Sequence, residues 1–367
     1  MRLIVNFVLR YLRFFAKLQL LKFRPDIIGV TGSVGKTSAA LAMGAILATK
    51  YTTKICAGAN SESGIPLNIL GLKLTNYSIL DWLRVMFLAP VMILVNWHRY
   101  AKYVVEMGVD EPESPKNMGY LLTIVKPRIG VWLNVAPVHT QQFGTVTAIA
   151  AEKGKLIEQL PASGIAVLNR NDPLVWQWSK KTRAKVIPFT GDAAITVGKI
   201  FGINKKVDFK PAPGRMSLIE GIKNSLIIDS SYNASRESMF RALEVLAGYK
   251  HRRKIAVLGD MRELGALAAA EHTAVAERAK KVADVIVTVG PLMQRYLASR
   301  YSFMSAREAG EFIKDKLLQE NDVVLVKGSQ NTIFLEIVVE MLMRYPEQAD
   351  ELLCRRGKYW DKIRSTT

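Results

Sequence analysis

Cysteine is scarce: Cys56 and Cys354 are the only two in 367 residues, and they stand far apart. Such a pair supplies neither a disulfide framework nor the spacing of a zinc site. The scarcity fits a reducing, cytoplasmic setting, and the N-terminus lacks the bounded apolar core and small-residue cleavage site of a secretory signal. Acid is scarce as well. Against 51 Lys and Arg stand 32 Asp and Glu, a formal net charge of +19. An excess of that size points to nucleic acid, an anionic membrane, or a substrate carrying phosphates or carboxylates. Zinc-finger spacing, an RNP-like aromatic strand and a basic-region helix are all missing, so no nucleic acid is expected. Internal repeats and low-complexity tracts are missing too. With 49% hydrophobic and 23% charged residues, the chain reads as folded and long enough for two domains.

Two segments stand out from an ordinary globular pattern. In residues 1–25 no acid occurs, and at roughly 100° per residue Leu3, Ile4, Phe7, Val8, Tyr11, Phe14, Phe15, Leu18 and Leu21 share a side. Arg2, Arg10, Arg13, Lys17 and Arg24 take the other side. That is the pattern of a helix lying in a membrane interface; the alternative is a helix docked on the protein's own core with a solvated basic face. Residues 78–97 are the second segment. Their uninterrupted apolar run, 85–95, is short for a bilayer, and Asp81, Arg84 and Pro90 argue against a conventional span. A half-immersed helix anchored by Trp82, Trp97, His98, Arg99 and Tyr100 comes first, a buried core helix second and a true span third.

Elsewhere strand-like runs alternate with helical stretches. Strands are expected at 26–30, 103–107, 129–134 and 165–169, then at 225–229, 254–259, 285–290 and 322–328. The Pro- and Gly-rich stretch Lys210-Pro211-Ala212-Pro213-Gly214-Arg215 reads as a linker. The fold class is therefore α/β: an N-terminal amphipathic helix at 1–26, a P-loop domain with a mostly parallel sheet at 27–210 carrying an apolar insertion at 76–103, and a Rossmann-like domain at 215–367.

The strongest local signal is a strand running into Thr31-Gly32-Ser33-Val34-Gly35-Lys36-Thr37-Ser38 and then a helix. Backbone N–H groups and a helix N-terminus there face a phosphate. Lys36 would reach the β- and γ-phosphates of ATP, and the Thr37 hydroxyl would sit on Mg²⁺. The match is not a strict Walker A, since Val30 stands where the general motif has glycine.

The form T-G-x-x-G-K-T is similar to that of the Mur ligases, and further blocks in the same order resemble the MurF type, UDP-N-acetylmuramoyl-tripeptide–D-alanyl-D-alanine ligases. They include Asn60-Ser61-Glu62-Ser63-Gly64-Ile65-Pro66-Leu67, Val105-Glu106-Met107-Gly108, Asn134-Val135-Ala136-Pro137-Val138-His139 and Ala151-Glu152-Lys153-Gly154. In the second half follow Asp229-Ser230-Ser231-Tyr232-Asn233-Ala234, Leu258-Gly259-Asp260-Met261-Arg262-Glu263-Leu264-Gly265 and Val326-Lys327-Gly328-Ser329. The resemblance implies an ATP-dependent ligase that activates a carboxylate as an acyl phosphate and joins it to an amine, in peptidoglycan synthesis. It implies Mg²⁺ ligands at Thr37, Glu106, His139 and Lys153, with Lys36, Lys153 and His139 catalytic. Lys153 would be carbamylated by CO₂; unmodified, it could stabilise the acyl phosphate directly. Arg215, Asp229 and Asn233 would hold the nucleotide from the second domain.

The pattern departs from the family in three places. The N-terminal domain that grips the UDP-sugar is missing, with about 26 residues before the P-loop strand. The family's His-Asn-x-x-x-Asn block has no counterpart between Asn169 and Arg215, although residues 193–203 resemble the helix that follows it. Ser235-Arg236 and Ser329-Gln330-Asn331 replace Asn-Pro and Ser-Arg-Gly. The expected partners are a muropeptide-type carboxylate, an amino acid or dipeptide, and an anionic membrane surface at the inner face. Two alternatives stay open: a Mur-fold ligase for another carboxylate, such as a folylpolyglutamate or cyanophycin-type enzyme, and a non-catalytic ATP-binding scaffold at the membrane.

Overall fold

A computed structural model describes residues 2–329 and 333–364. Gln330 and Asn331, two of the positions that depart from the family pattern, lie outside the described residues, as do the side chains of Arg2 and Leu3. The chain forms two compact units, 1–209 and 210–367.

The first unit is built on a six-stranded, wholly parallel sheet: β1 (Asp26–Thr31), β2 (Thr53–Cys56), β3 (Lys102–Glu106), β4 (Ile129–Trp132), β5 (Ile165–Asn169) and β6 (Lys185–Phe189) in the order β2-β3-β1-β4-β5-β6. Parallel strands joined by helical crossovers are covered on both faces, which is why β1, β3 and β4 are nearly continuous apolar runs. The chain leaves β1 between its two neighbours, with Val30 opposite Glu106 and Thr31 opposite Trp132. Strand order reverses at β1, so the carboxyl ends of β1, β3 and β4 border one crevice. One face of the sheet packs against helix α2 (Lys36–Ala48) through Met43, Ile46 and Leu47. The other face buries Tyr103 and Trp132 beneath the helix Val146–Glu158.

The two unusual segments are both helices: α1 (Arg2–Phe23) and, after α3 (Gly64–Leu70), α4 (Ile79–Val95). Two-sided amphipathicity does not describe α1. A third face, formed by Leu9, Leu12, Ala16 and Gln19, is buried and docks on the unit, while the apolar stripe at Ile4, Phe7, Phe14, Leu18 and Leu21 stays exposed. Leu12 meets Leu67, Leu70, Val85 and Ala89 in a small core shared by α1, α3 and α4. Of the expected interfacial anchors, Trp97 is exposed and Tyr100 is buried. No helix among the described residues is long and apolar enough to cross a membrane, which removes the spanning reading of 78–97.

The second unit repeats the architecture: β7 (Ser217–Glu220), β8 (Leu226–Ser230), β9 (Lys254–Gly259), β10 (Val285–Val289), β11 (Tyr301–Phe303) and β12 (Val323–Lys327) lie in the order β11-β10-β9-β12-β8-β7. Only the edge strand β7 is antiparallel, pairing with β8.

Candidate functional site

In the first unit the loop after β1 is shaped by two glycines. Gly35 has φ +85°, a left-handed conformation, and closes the loop onto the first turn of α2. A Cβ on Gly32, at φ +155°, would lie 3.0 Å from Leu133 Cβ, so the backbone approaches β4 closely. Asn134, just beyond β4, braces the loop from both sides: its Oδ1 accepts the Val34 N–H at 2.8 Å and its Nδ2 donates to the Val34 carbonyl at 2.9 Å. Ser33 donates its hydroxyl to the Ala136 carbonyl at 3.1 Å and accepts the Ala136 N–H at 2.9 Å. The Lys36 ammonium curls back onto the Gly32 and Ser33 carbonyls at 3.0 and 3.3 Å. The loop thus presents a lysine and a helix N-terminus from a fixed frame.

Thr37 and Glu106 meet beneath that loop. The Thr37 hydroxyl donates to Glu106 Oε2 at 2.7 Å, and both residues are buried. The same oxygen accepts the Gly58 N–H at 2.7 Å, and Oε1 accepts Asn60 Nδ2 at 3.0 Å. These are hard oxygen donors at the end of β3 and the start of α2. Among the described residues no three His, Cys, Asp or Glu side chains cluster as a ready metal cage. Mg²⁺ does not need one: it is commonly held by one or two protein oxygens together with substrate phosphates, and Thr37 with Glu106 fits that need.

His139 and Lys153 form a second group around Asp110. His139 adopts φ +56° at the start of a short helix, Thr140–Phe143, and its Nε2 lies 3.6 Å from Asp110 Oδ1. Lys153, on the helix Val146–Glu158, is almost wholly buried. Burial, and secondarily the charge of Lys36, pull its ammonium down to about 7 against the opposing pull of Asp110 and Glu152. A fraction of neutral amine at neutral pH follows.

In the second unit Arg215 and Asn233 stand where solvent reaches them, but Asp229 does not. Asp229 is enclosed at the end of β8, accepts the Ser231 N–H at 3.0 Å, and is held above the ordinary carboxylate range by burial. The Arg215 guanidinium lies 4.1 Å over the Tyr232 ring. Lys327, at the end of β12, donates to Ser230 Oγ at 3.0 Å and the Asn233 carbonyl at 2.8 Å. Its burial, with the Arg215 charge, brings its ammonium down to about 7. His272 is structural: it is buried, accepts the Met261 N–H at 3.0 Å and lies 2.7 Å from the Ala268 carbonyl.

The Mur ligase middle domain matches residues 30–210, and the Mur ligase glutamate ligase domain matches residues 214–330. The chain belongs to the Mur ligase family. Among its relatives, the UDP-N-acetylmuramoyl-tripeptide–D-alanyl-D-alanine ligase of Escherichia coli K12 is 27% identical over 380 residues, spanning 85% of this chain and 76% of that one. The ligase of the same name from Haemophilus influenzae is 24% identical, over 87% and 77%. The crystal structure of the MurF ligase of Thermotoga maritima in complex with ADP superposes with a TM-score of 0.73 at 22% identity, covering 98% of this chain and 85% of that one.

Within this Mur ligase, two side chains gained a place that the residue pattern did not give them. Asp110 faces both His139 and Lys153, yet in the sequence it is one carboxylate in an acidic loop, Asp110-Glu111-Pro112-Glu113. Asn60 was visible only as part of a family segment; its grip on Glu106 and its carbonyl, which accepts the Gly108 N–H at 3.1 Å, tie that segment to the end of β3.

Proposed function

We propose that this protein is an ATP-dependent C–N ligase of the MurF type, adding D-alanyl-D-alanine or a similar amino acid or dipeptide to a muropeptide precursor. The observation that carries the reading is the braced loop, with Lys36 above and the Thr37–Glu106 pair below. A carboxylate oxygen of the acceptor attacks the γ-phosphorus and the bond to ADP breaks. The amine nitrogen then attacks the acyl carbon, loses a proton, and phosphate leaves. Both steps bring anions together, so the cations of the site are the catalytic means. Lys36 neutralises the transferring phosphoryl group. Thr31 to Ser38 hold the phosphates, Thr37 and Glu106 hold Mg²⁺, and the metal supplies charge stabilisation.

Lys153 and His139 complete the first-unit site in this reading. The neutral Lys153 amine can attack CO₂ and lose a proton, giving a carbamate whose oxygens suit a divalent cation. Arg215 and Asn233 are assigned to the nucleotide, and Asp229 to holding the turn on which Asn233 stands. For location the reading adds the cytoplasm and the inner face of an anionic membrane, on the strength of α1 and α4.

The test is ADP release by purified protein supplied with ATP, a UDP-muramoyl tripeptide and D-alanyl-D-alanine. Release that needs both acceptor and dipeptide, and that drops at least about a hundredfold in Lys36→Ala, is expected. ATP binding without acceptor-dependent release would favour the scaffold reading instead.

A further inference from the structure

Helices α1 and α4 run side by side in the same direction. Tyr11 donates its hydroxyl to the Met86 carbonyl at 2.9 Å, and eleven residues on, Lys22 donates to the Ile93 carbonyl at 2.8 Å. At 100° per residue each helix has one face buried, one flank on its neighbour and one face left over. On α1 the leftover face is Ile4, Phe7, Phe14, Leu18 and Leu21; Phe7 is 60% and Phe14 58% exposed. On α4 it is Leu80, Leu83, Phe87 and Leu94, with Leu80 at 76% and Phe87 at 74%. Reckoned from the buried face toward the shared flank, the two leftover faces follow in mirror order, so both turn to the side away from the core.

A continuous apolar surface of this kind marks an interaction site on a soluble fold. Its surroundings say with what. Beside the α1 stripe run Arg10, Lys17 and Arg24, all exposed, and no acid occurs in residues 1–25. The one acid of α4, Asp81, is tucked in and accepts the Asn76 N–H at 2.6 Å. Trp97 is exposed at the C-terminal border with the Lys22 ammonium 3.4 Å over its ring, an aromatic at the apolar–polar boundary. A second copy seated face to face would set these cations against their equivalents, so charge disfavours a twofold pairing.

A cleft of about 550 Å³ opens between the end of α4 and the start of β2, and Val95, the chain neighbour of Leu94, lines it. Lys54, His98 and Arg99 line it with Asn96, and no acid does. Tyr100, 93% buried by its 7% exposure, also lines it and carries a hydroxyl with no hydrogen-bond partner among the described residues.

We infer that the outward face of α1 and α4 docks on an anionic phospholipid bilayer, with the cleft at Lys54, His98 and Arg99 receiving a lipid phosphate. The apolar side chains enter the acyl boundary and the flanking cations lie at headgroup depth. The inference names the surface behind the membrane placement proposed above and rests on that placement, but not on the ligase chemistry. A ligase held there acts at the surface where a lipid-linked product would be made or used.

The experiment is co-sedimentation of the full chain with phosphatidylcholine vesicles, with and without phosphatidylglycerol, at low and high salt. Binding that needs phosphatidylglycerol and falls at least about tenfold with salt is expected. Phe14→Ser with Phe87→Ser, on exposed positions, should lose at least about tenfold in binding while its circular dichroism and ADP release match the parent. Arg99→Gln should lower the preference for the anionic lipid and leave residual binding to neutral vesicles unchanged; no change in preference would remove the cleft from the inference. A parent chain that ignores vesicles, binds both kinds equally, or instead forms dimers that Phe14→Ser with Phe87→Ser abolishes would overturn the docking surface. ADP release read in the same samples keeps the two proposals apart, since vesicle binding by an inactive chain would overturn only the ligase reading.

Discussion

Lys153 and Gly154 are neighbours on one helix, and each is constrained by what encloses it. For Lys153 the enclosure lowers its ammonium to about 7, so the neutral, CO₂-reactive amine is present under ordinary conditions. Lys153→Ala should be nearly inactive in ADP release and partly recovered by added formate or acetate, which return a carboxylate to the vacated space. An unmodified mass under bicarbonate together with an active alanine variant would exclude the carbamate. For Gly154 the enclosure is Trp178, whose ring would lie 2.2 Å from an added Cβ. That ring cannot easily withdraw: its Nε1 donates to Glu158 at 2.8 Å and it packs edge-on against Trp132 at 5.1 Å between centroids. Gly154→Ala should therefore cost about 1–3 kcal/mol of stability, read by urea denaturation. It should also depress activity at temperatures where the variant is folded, because Lys153 shifts with its backbone. The residue pattern shows the lysine and the glycine but not the tryptophan that makes the glycine necessary. Asp110 was hidden for a similar reason: only the fold reveals that one of several loop carboxylates faces His139 and Lys153.

The elements legible from the sequence are those whose composition is set by burial. Strands β1, β3, β4, β5, β8, β9, β10 and β12 lie inside their sheets and read as apolar runs, within a residue or two of their bounds. Edge strands β2, β6, β7 and β11 were not expected, because an edge strand is shorter, more polar and free to carry residues such as Lys54 or Glu220. The helix at α1 was expected, yet its periodicity fits two stripes as well as three, and Leu9, Leu12 and Ala16 became a docking face only once α3 and α4 were beside them. The phosphate loop shows the same division. Its glycines and lysine are visible, whereas its rigidity comes from Asn134, a hundred residues away. Asn134→Ala removes one acceptor and one donor from Val34, a change of about 1–3 kcal/mol where the freed groups stay dry. A loop that samples more conformations binds phosphate less well, so the KM for ATP should rise several-fold while the acceptor KM stays near the parent value. Equal ATP KM values in steady-state assays would show that the loop holds its shape without that brace.

At the scale of the molecule, each unit carries a buried lysine whose ammonium is lowered by its surroundings, Lys153 on the helix Val146–Glu158 and Lys327 at the end of β12, and this couples stability to pH. Lys153 and Lys327 are both lowered to about 7 from an ordinary value of 10.5, mainly by burial. Between about 7 and 10.5 the unfolded chain keeps both protons and the folded chain releases them. The unfolded state then binds more protons, so stability rises with pH across that window. Below about 7 both states are protonated, and burying two ammonium groups weighs fully against the fold. Urea midpoints measured in CO₂-free buffer should accordingly increase from pH 7 to pH 9. Lys153→Met should flatten that rise in the transition of the first unit and Lys327→Met in that of the second, because a neutral side chain of similar length binds no proton in either state. At pH 7, where the buried charge is most costly, each methionine variant should be at least as stable as the parent, although Lys153→Met should be inactive. Methionine variants less stable than the parent at pH 7 would mean that the hydrogen bonds of Lys327 to Ser230 and Asn233, or the charges about Lys153, outweigh desolvation. The size of the rise from pH 7 to 9 measures how much instability the two buried ammonium groups impose on the fold.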